Sequence, residues 1–100
     1  MTRKYRSNIW FANIYGQRVP VIIISADHFN QFDDHFQIIP ISTRITKRHR
    51  NDEVVPWRGR SLQVNRIMTV HEQQLIDYDS NMDAPEMEAL KAALKRRFDL

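Results

Sequence analysis

A short apolar segment constrains the fold of this chain more than any other feature. Residues 19–24 read Val-Pro-Val-Ile-Ile-Ile, and five of these six residues are β-branched. β-Branched side chains favour strands, and the run is too short for a helix and too apolar for the edge of a sheet. Pro20 is compatible with a strand because it stands near the start of the run. The segment therefore predicts a strand that is buried on both faces, at the centre of a sheet.

Other segments with strand-like composition stand on both sides of this run. Residues 8–14 are rich in β-forming residues, and further strands are predicted at 36–42, 53–56, 61–70 and 75–78. Within segment 61–70, Ile67 breaks the alternation of apolar and polar residues. A β-bulge would explain that break.

The end of the sequence has the pattern of an amphipathic helix. Asp83 is a suitable N-cap, and apolar residues then recur at helical spacing, at Met87, Leu90, Leu94 and Phe98. A helix is therefore predicted from about residue 84 to 98. Together with the strands, it predicts a single β-rich α+β domain over residues 1–100. In this domain a small, strongly bent antiparallel sheet or an SH3-like barrel packs against a C-terminal amphipathic helix.

Composition excludes several kinds of protein and site. The chain has no cysteine, which excludes disulfides and thiolate metal sites. It has no apolar run long enough to span a membrane and no signal-peptide pattern, so we expect a soluble, cytoplasmic protein. The histidines show no metal-ligand spacing, and we expect no metal and no cofactor. They are His28, His35, His49 and His71.

The charges are unevenly distributed along the chain. The formal net charge is only +3, but segment 44–66 holds seven cations against two acids, and acidic residues gather from Glu72 onward. A folded chain with this pattern is expected to have a basic surface that attracts polyanions such as nucleic acid. The simpler alternative is that these charges are solvated and keep a small domain soluble.

Read in order, several segments resemble the PemK/MazF-like toxins. Residues 7–11, Ser-Asn-Ile-Trp-Phe, resemble the opening strand of that family, and 19–25 with Asp27 resemble its RPVVVIS segment. Residues 39–44 are similar to the VPITS strand, and 64–70 to the DQIRTV segment. The resemblance implies the toxin component of a toxin–antitoxin module. It would act as a homodimer and a metal-independent endoribonuclease that cleaves single-stranded RNA, and an acidic antitoxin protein would be its partner.

The implied reaction needs a base, an acid and a cation, because a ribose 2′-OH attacks its own phosphate. We expect the catalytic residues to be Arg18, Ser42, Arg66 and His71. We expect RNA to be bound by Gln17, Thr43, Arg44, Lys47, Arg48, Arg50, Trp57 and Asn65. Trp57 has two further possible roles, which are to cover the core or to face a second subunit.

The sequence departs from the family at two arginine positions. The family usually has an arginine directly before the proline of the second strand, where this chain has Val19, and Arg18 stands one residue earlier. On a strand, that shift moves the side chain to the other face unless a bulge intervenes. In the DQIRTV segment, Met68 holds the place of the arginine. Either Arg18 and Arg66 take over the cationic role, or catalysis is weak or absent.

Two other functions remain open at this point. The first is a CcdB-like toxin, which acts by binding the protein gyrase instead of cleaving RNA. CcdB-like toxins end in Trp-Gly-Ile, whereas this sequence ends in Arg-Phe-Asp-Leu, and this difference counts against gyrase. The second is a catalytically degenerate member that binds only RNA or its antitoxin.

Overall fold

A computed structural model describes residues 4–42 and 55–99. The strands are β1 (Asn8–Ile14), β2 (Gln17–Ile23), β3 (His35–Ser42), β4 (Val55–Trp57), β5 (Arg60–Leu62), β6 (Met68–His71) and β7 (Leu75–Asn81). The helices are α1 (Asp27–Asn30) and α2 (Ala84–Phe98), and a 3-10 turn covers Glu72–Gln74. The predicted α+β class is confirmed, since an antiparallel sheet is followed by one C-terminal helix. In the described ranges, neither helix is long and apolar enough to cross a membrane.

The sheet is open rather than closed into a barrel. Its strands follow the order β4-β5-β3-β2-β1-β7, and β6 pairs with β3 beside β5. Among the described strands, no pairing joins β4 to β7. The predicted central strand is confirmed, because β2 lies between β1 and β3, and Val21, Ile22 and Ile23 are fully buried.

Two apolar clusters lie on the two faces of this sheet. Ile22 belongs to the cluster that includes Leu90 of α2, while Val21 and Ile23 belong to the cluster that includes Trp10. Neighbouring residues of a strand point to opposite faces, so a strand covered on both sides must be apolar at every position. Full burial of each side chain of this size stabilises the folded state by about 1.5–3 kcal/mol. The run in 19–24 is apolar throughout for this reason.

The segment predicted as one bulged strand over 61–70 is two strands, so that prediction is corrected. A turn separates β5 from β6, and within it the Arg66 N–H donates to the Gln63 carbonyl over 2.9 Å. The Gln63 N–H donates to the Pro40 carbonyl, also over 2.9 Å. β3 thus pairs with β6 in its first half and with β5 at its end. The break in the alternation at Ile67 therefore lies just before β6, in the segment where the partner of β3 changes from β5 to β6. It is not a single extra residue within one strand, as a bulge would be.

The N-terminus of α2 is joined to β4 through one carboxylate. Asp83 caps the helix as predicted, and its carboxylate accepts from the Glu86 N–H over 2.8 Å. The Glu86 carboxylate accepts from the Asp83 N–H over 3.0 Å and from the Arg58 guanidinium over 2.8 and 3.0 Å. It also accepts from the Trp57 indole. Charge-assisted hydrogen bonds of this kind are stronger than neutral ones, so Glu86 fixes the helix to the sheet.

Stability should depend on pH through Glu86. Burial raises the pKa of Glu86, but the hydrogen bonds from Asp83, Arg58 and Trp57 outweigh it, and the pKa lies below its ordinary value. A depressed pKa gives stability that is present above the unfolded value of about 4.3 and is lost as pH falls through the folded value. Glu86→Gln should therefore destabilise the protein at pH 7 and matter less as pH falls below about 4. Urea unfolding across this range measures the difference.

Glu88→Gln is the matched control for this experiment. Glu88 is an exposed residue of α2 that contacts Lys91 over 3.4 Å, so its replacement should change the free energy of unfolding little at any pH. A destabilisation by Glu86→Gln that stayed constant from pH 7 to about pH 3 would contradict the role given to the charge of Glu86.

Candidate nucleic-acid interface

The C-terminal end of β3 brings two hydroxyl groups together. Ser42 lies directly opposite Ser61 in the pairing of β3 with β5. Side chains at directly opposite positions share one face of a sheet. Ser42 is half-buried, whereas Ser61 is 1% exposed and its Oγ has no hydrogen-bond partner within the described part of the chain. The sequence did not single out Ser61, since a serine in a strand becomes a candidate only when its opposite residue is known.

The turn between β5 and β6 lies at the same end of β3. It is fixed there by the hydrogen bond between the Gln63 N–H and the carbonyl of Pro40, two residues before Ser42. Arg66 in this turn is exposed. Asn65 is half-buried, and its Oδ1 is buried without a hydrogen-bond partner in residues 4–42 and 55–99. The structure therefore brings three predicted site residues, Ser42, Asn65 and Arg66, to one end of the sheet.

Arg18 lies at this end as well, but its side chain is on the other face of the sheet. The β1–β2 register runs without a shift from Ile9↔Ile22 to Ile14↔Gln17, so the bulge that would turn Arg18 over does not occur there. The Val21↔Pro40 register, continued by two residues, sets Val19 opposite Ser42. Arg18 alternates with Val19 and therefore points away from Ser42. Gln17 is exposed beside it, in the hairpin between β1 and β2.

The Arg18 guanidinium has its own contacts on that other face. It lies 4.2 Å from the centroid of the Phe11 ring, and its Nη2 is 3.1 Å from the Asp77 Oδ2. Both charged side chains are more than half exposed, so this ion pair contributes little to stability. Asp77 offsets the charge of Arg18 locally, which weakens its pull on a phosphate.

His71 lies at the opposite end of β3 from Ser42. It pairs with His35, the first residue of β3, and Ser42 is the last. Seven residue steps along a strand correspond to about 23 Å. The structure therefore does not bring His71 together with Ser42 and Arg66. Within residues 4–42 and 55–99, one group of potential metal-ligand atoms lies close together, and it is also at this distant end, in Asp33, Asp34 and His35.

Trp57 is part of the core. Its side chain is 8% exposed, and it belongs to the cluster that contains Leu90. The guanidinium of Arg58 lies 4.9 Å from the centroid of the indole ring. Of the three roles open to Trp57, these contacts fit the covering of the core. A base could stack on the ring only if Arg58 moved away.

Five predicted RNA-binding residues lie outside the described residues and stay predictions. All five stand within the eight residues after Ser42, and they are Thr43, Arg44, Lys47, Arg48 and Arg50.

Comparison with known protein families gives a match over most of the chain. Residues 5–98 match the family model described as PemK-like, MazF-like toxin of type II toxin–antitoxin system. No curated protein sequence matches the chain.

Among solved structures, the chain is similar to an endoribonuclease from a mycobacterial species. The TM-score is 0.83 at 18% identity, and the match covers 100% of this chain and 95% of the other. The Mycobacterium tuberculosis toxin MazF-mt6 gives a TM-score of 0.80 at 19% identity, with 93% and 97% covered. A crystal structure of MazE-MazF from Deinococcus radiodurans gives 0.84 at 11% identity, with 99% of both chains covered. Because the sequence identities are no higher than 19%, these structural matches establish the fold alone.

Proposed function

Because the chain belongs to the PemK-like, MazF-like toxins of type II toxin–antitoxin systems, we propose that it is an endoribonuclease that cleaves single-stranded RNA without a metal ion. The observation that carries this proposal is the family match over residues 5–98. The toxin is a single domain that works in the cytoplasm as a homodimer. Its antitoxin is an acidic protein, whose charge complements the basic segment 44–66.

In the proposed reaction, the ribose 2′-OH attacks the adjacent phosphorus. The O2′–P bond forms and the P–O5′ bond breaks, which gives a 2′,3′-cyclic phosphate and a 5′-OH end. A base takes the proton of the 2′-OH, and an acid donates one to O5′. Negative charge grows on the two non-bridging oxygens during the attack, so a fixed cation beside them accelerates the reaction.

Arg66 is the residue we assign to that cationic role. Its side chain is exposed in the turn between β5 and β6. A backbone hydrogen bond fixes this turn beside the end of β3, and Ser42 is the last residue of that strand. A guanidinium is permanently charged and can donate two parallel hydrogen bonds to a phosphate. Ser42 donates to a phosphate oxygen, and Asn65 and Gln17 contact the RNA on either side. The cations in 44–50 bind the neighbouring phosphates of the strand.

The proposal is tested by incubating the purified chain with mixed single-stranded RNA in the presence of EDTA. We expect fragments with cyclic phosphate ends, and light scattering should give a mass of about twice 12.0 kDa for the protein. RNA that is bound in a salt-dependent way but stays intact would instead indicate a degenerate member. DNA cleavage complexes formed with gyrase would indicate a CcdB-like toxin.

Arg18→Ala should lower kcat/KM for RNA cleavage less than about tenfold. Arg18 faces away from Ser42 and is paired with Asp77, so the variant loses a peripheral phosphate contact rather than the cation at the reacting phosphate. Initial rates on a short RNA measure this, with Arg97→Ala at the exposed end of α2 as the matched control. A loss of 100-fold or more would move the cationic role from Arg66 to Arg18.

A further inference from the structure

Ser61 differs from the other polar side chains that the fold buries. Within residues 4–42 and 55–99, the buried polar residues are Asn8, Ser25 and Ser61. The Asn8 Oδ1 accepts from the Tyr5 N–H over 2.7 Å, and the Ser25 Oγ accepts from the Gln37 N–H over 3.3 Å. Ser61 is the most buried of the three, at 1% exposure, yet its Oγ has no hydrogen-bond partner among the described residues. It therefore lacks the structural contacts that explain the other two.

A buried hydroxyl without a partner destabilises the folded state. It gives up its hydrogen bonds to water on folding and receives none in return, whereas alanine at the same place would lose nothing. Buried polar groups in proteins are usually paired, and residues that break such a local rule tend to be functional. The hydroxyl of Ser61 is thus explained better by a function than by packing.

The residue that Ser61 faces is Ser42, at the last pair of the β3–β5 ladder. The Cβ atoms of directly opposite residues are about 4.5–5.5 Å apart, and hydroxyl groups form hydrogen bonds across such pairs. On the other side of β3, the continued β2–β3 register sets Val19 opposite Ser42. Of the two residues directly across from Ser42, Ser61 is therefore the one whose side chain can bond to its hydroxyl.

We propose that Ser61 is a positioning residue for the proposed RNA cleavage, on which this inference rests. When RNA binds, the Ser61 O–H donates to the Ser42 Oγ, and the Ser42 O–H donates to a phosphate oxygen. A serine hydroxyl has one proton and two lone pairs, so Ser42 accepts from Ser61 and donates to the phosphate at the same time. Because Ser61 is buried, it acts through Ser42 and does not touch the RNA.

This chain of two hydroxyls makes Ser42 a directed and stronger donor. A Ser42 Oγ that accepts from Ser61 must turn its own proton elsewhere, and hydrogen bonds in a chain polarise one another. The benefit is largest in the transition state, because the charge on the phosphate oxygens grows as the 2′-OH attacks. Catalytic hydrogen bonds often form only when substrate is bound, which fits a Ser61 Oγ that has no partner in the described part of the free chain.

Ser61→Ala and Ser25→Ala separate this role from a structural one. Ser61→Ala should lower kcat/KM for RNA cleavage about three- to tenfold, the factor that one net hydrogen bond supplies. Its urea midpoint should stay the same or rise, because the hydroxyl it loses is unpaired within residues 4–42 and 55–99. Ser25→Ala is the matched control. It removes a buried hydroxyl that is paired near the start of β3, so it should lower the urea midpoint and leave kcat/KM unchanged.

A double-mutant cycle with Ser42→Ala tests whether the two hydroxyls act together. If Ser61 acts through Ser42, adding Ser61→Ala to Ser42→Ala should cause no further loss of kcat/KM. The same cycle is measured on binding of a mixed-sequence 2′-fluoro RNA, which lacks the attacking hydroxyl. There Ser61→Ala alone should weaken binding about twofold and add nothing to Ser42→Ala.

The inference and the proposed function fail in different ways. Losses that multiply in the double variant, or a lower urea midpoint for Ser61→Ala, would overturn the positioning role and leave RNA cleavage intact. An unmodified protein that binds RNA without cutting it would overturn the cleavage, and the cycle on 2′-fluoro RNA would then decide the role of Ser61. An unmodified protein that neither binds nor cuts RNA would overturn both.

Discussion

Arg66→Ala should lower kcat/KM for RNA cleavage by about 10²–10³-fold, because removing one donor to the transition state commonly has an effect of this size. The loss should fall mainly on kcat, since the charge on the non-bridging oxygens grows only as the 2′-OH attacks. The variant should fold normally, because the turn is held by the backbone N–H of Arg66 and its side chain is exposed. Initial rates on a single-stranded RNA over a range of concentrations measure both constants.

Two further variants show whether this effect belongs to the guanidinium. Arg66→Lys keeps the positive charge but loses the paired donors, so we expect activity between that of Arg66→Ala and the unmodified protein. Arg97→Ala removes an exposed arginine from the end of α2 and should leave kcat unchanged. If Arg66→Ala cleaved RNA as fast as Arg97→Ala, the cation at the reacting phosphate would have to be another residue.

Trp57→Ala should reduce the free energy of unfolding by about 3–5 kcal/mol, the usual cost of removing a buried aromatic side chain. The indole packs in the same cluster as Leu90 of α2 and donates to Glu86. Its removal leaves a cavity between β4 and the helix and takes one donor from that carboxylate. Urea unfolding followed by circular dichroism measures the change.

Trp57→Phe separates the packing of the ring from its hydrogen bond. Phenylalanine fills most of the space but cannot donate to Glu86, so we expect a smaller loss, of about 1–2 kcal/mol. RNA binding by Trp57→Phe should be unchanged if the ring covers the core. A variant with normal stability and weaker RNA binding would show instead that a base stacks on Trp57.

Local signals in the sequence were sufficient for some elements of the fold. The bounds of β1 and α2 agree with the predicted 8–14 and 84–98. For the helix, the Asp83 cap and the spacing of the apolar residues are both contained in one short stretch. The central strand was equally clear, since an unbroken β-branched run cannot be placed at an edge.

Features that depend on distant pairing could not be predicted in the same way. The division of 61–70 into two strands follows from β3 changing its partner beside Pro40, which the segment itself does not encode. His35 and His71 show no ligand spacing in the sequence, and only the β3–β6 register brings them together. The face of Arg18 depended on whether a bulge occurred in the hairpin, and the unbroken register decides that question.

Among the described strands, β4 and β7 stand at the two ends of the sheet order, where strands of other molecules could add, and each of these edges is protected differently. β4 is only three residues long, and its middle residue, Pro56, has no N–H to donate. β7 is longer, with seven residues, and carries Asp77 and Asp79. Charges on an edge strand and short, proline-containing edges both discourage aggregation through strand addition. Neither of these two edges therefore offers a long uncharged template for fibril growth.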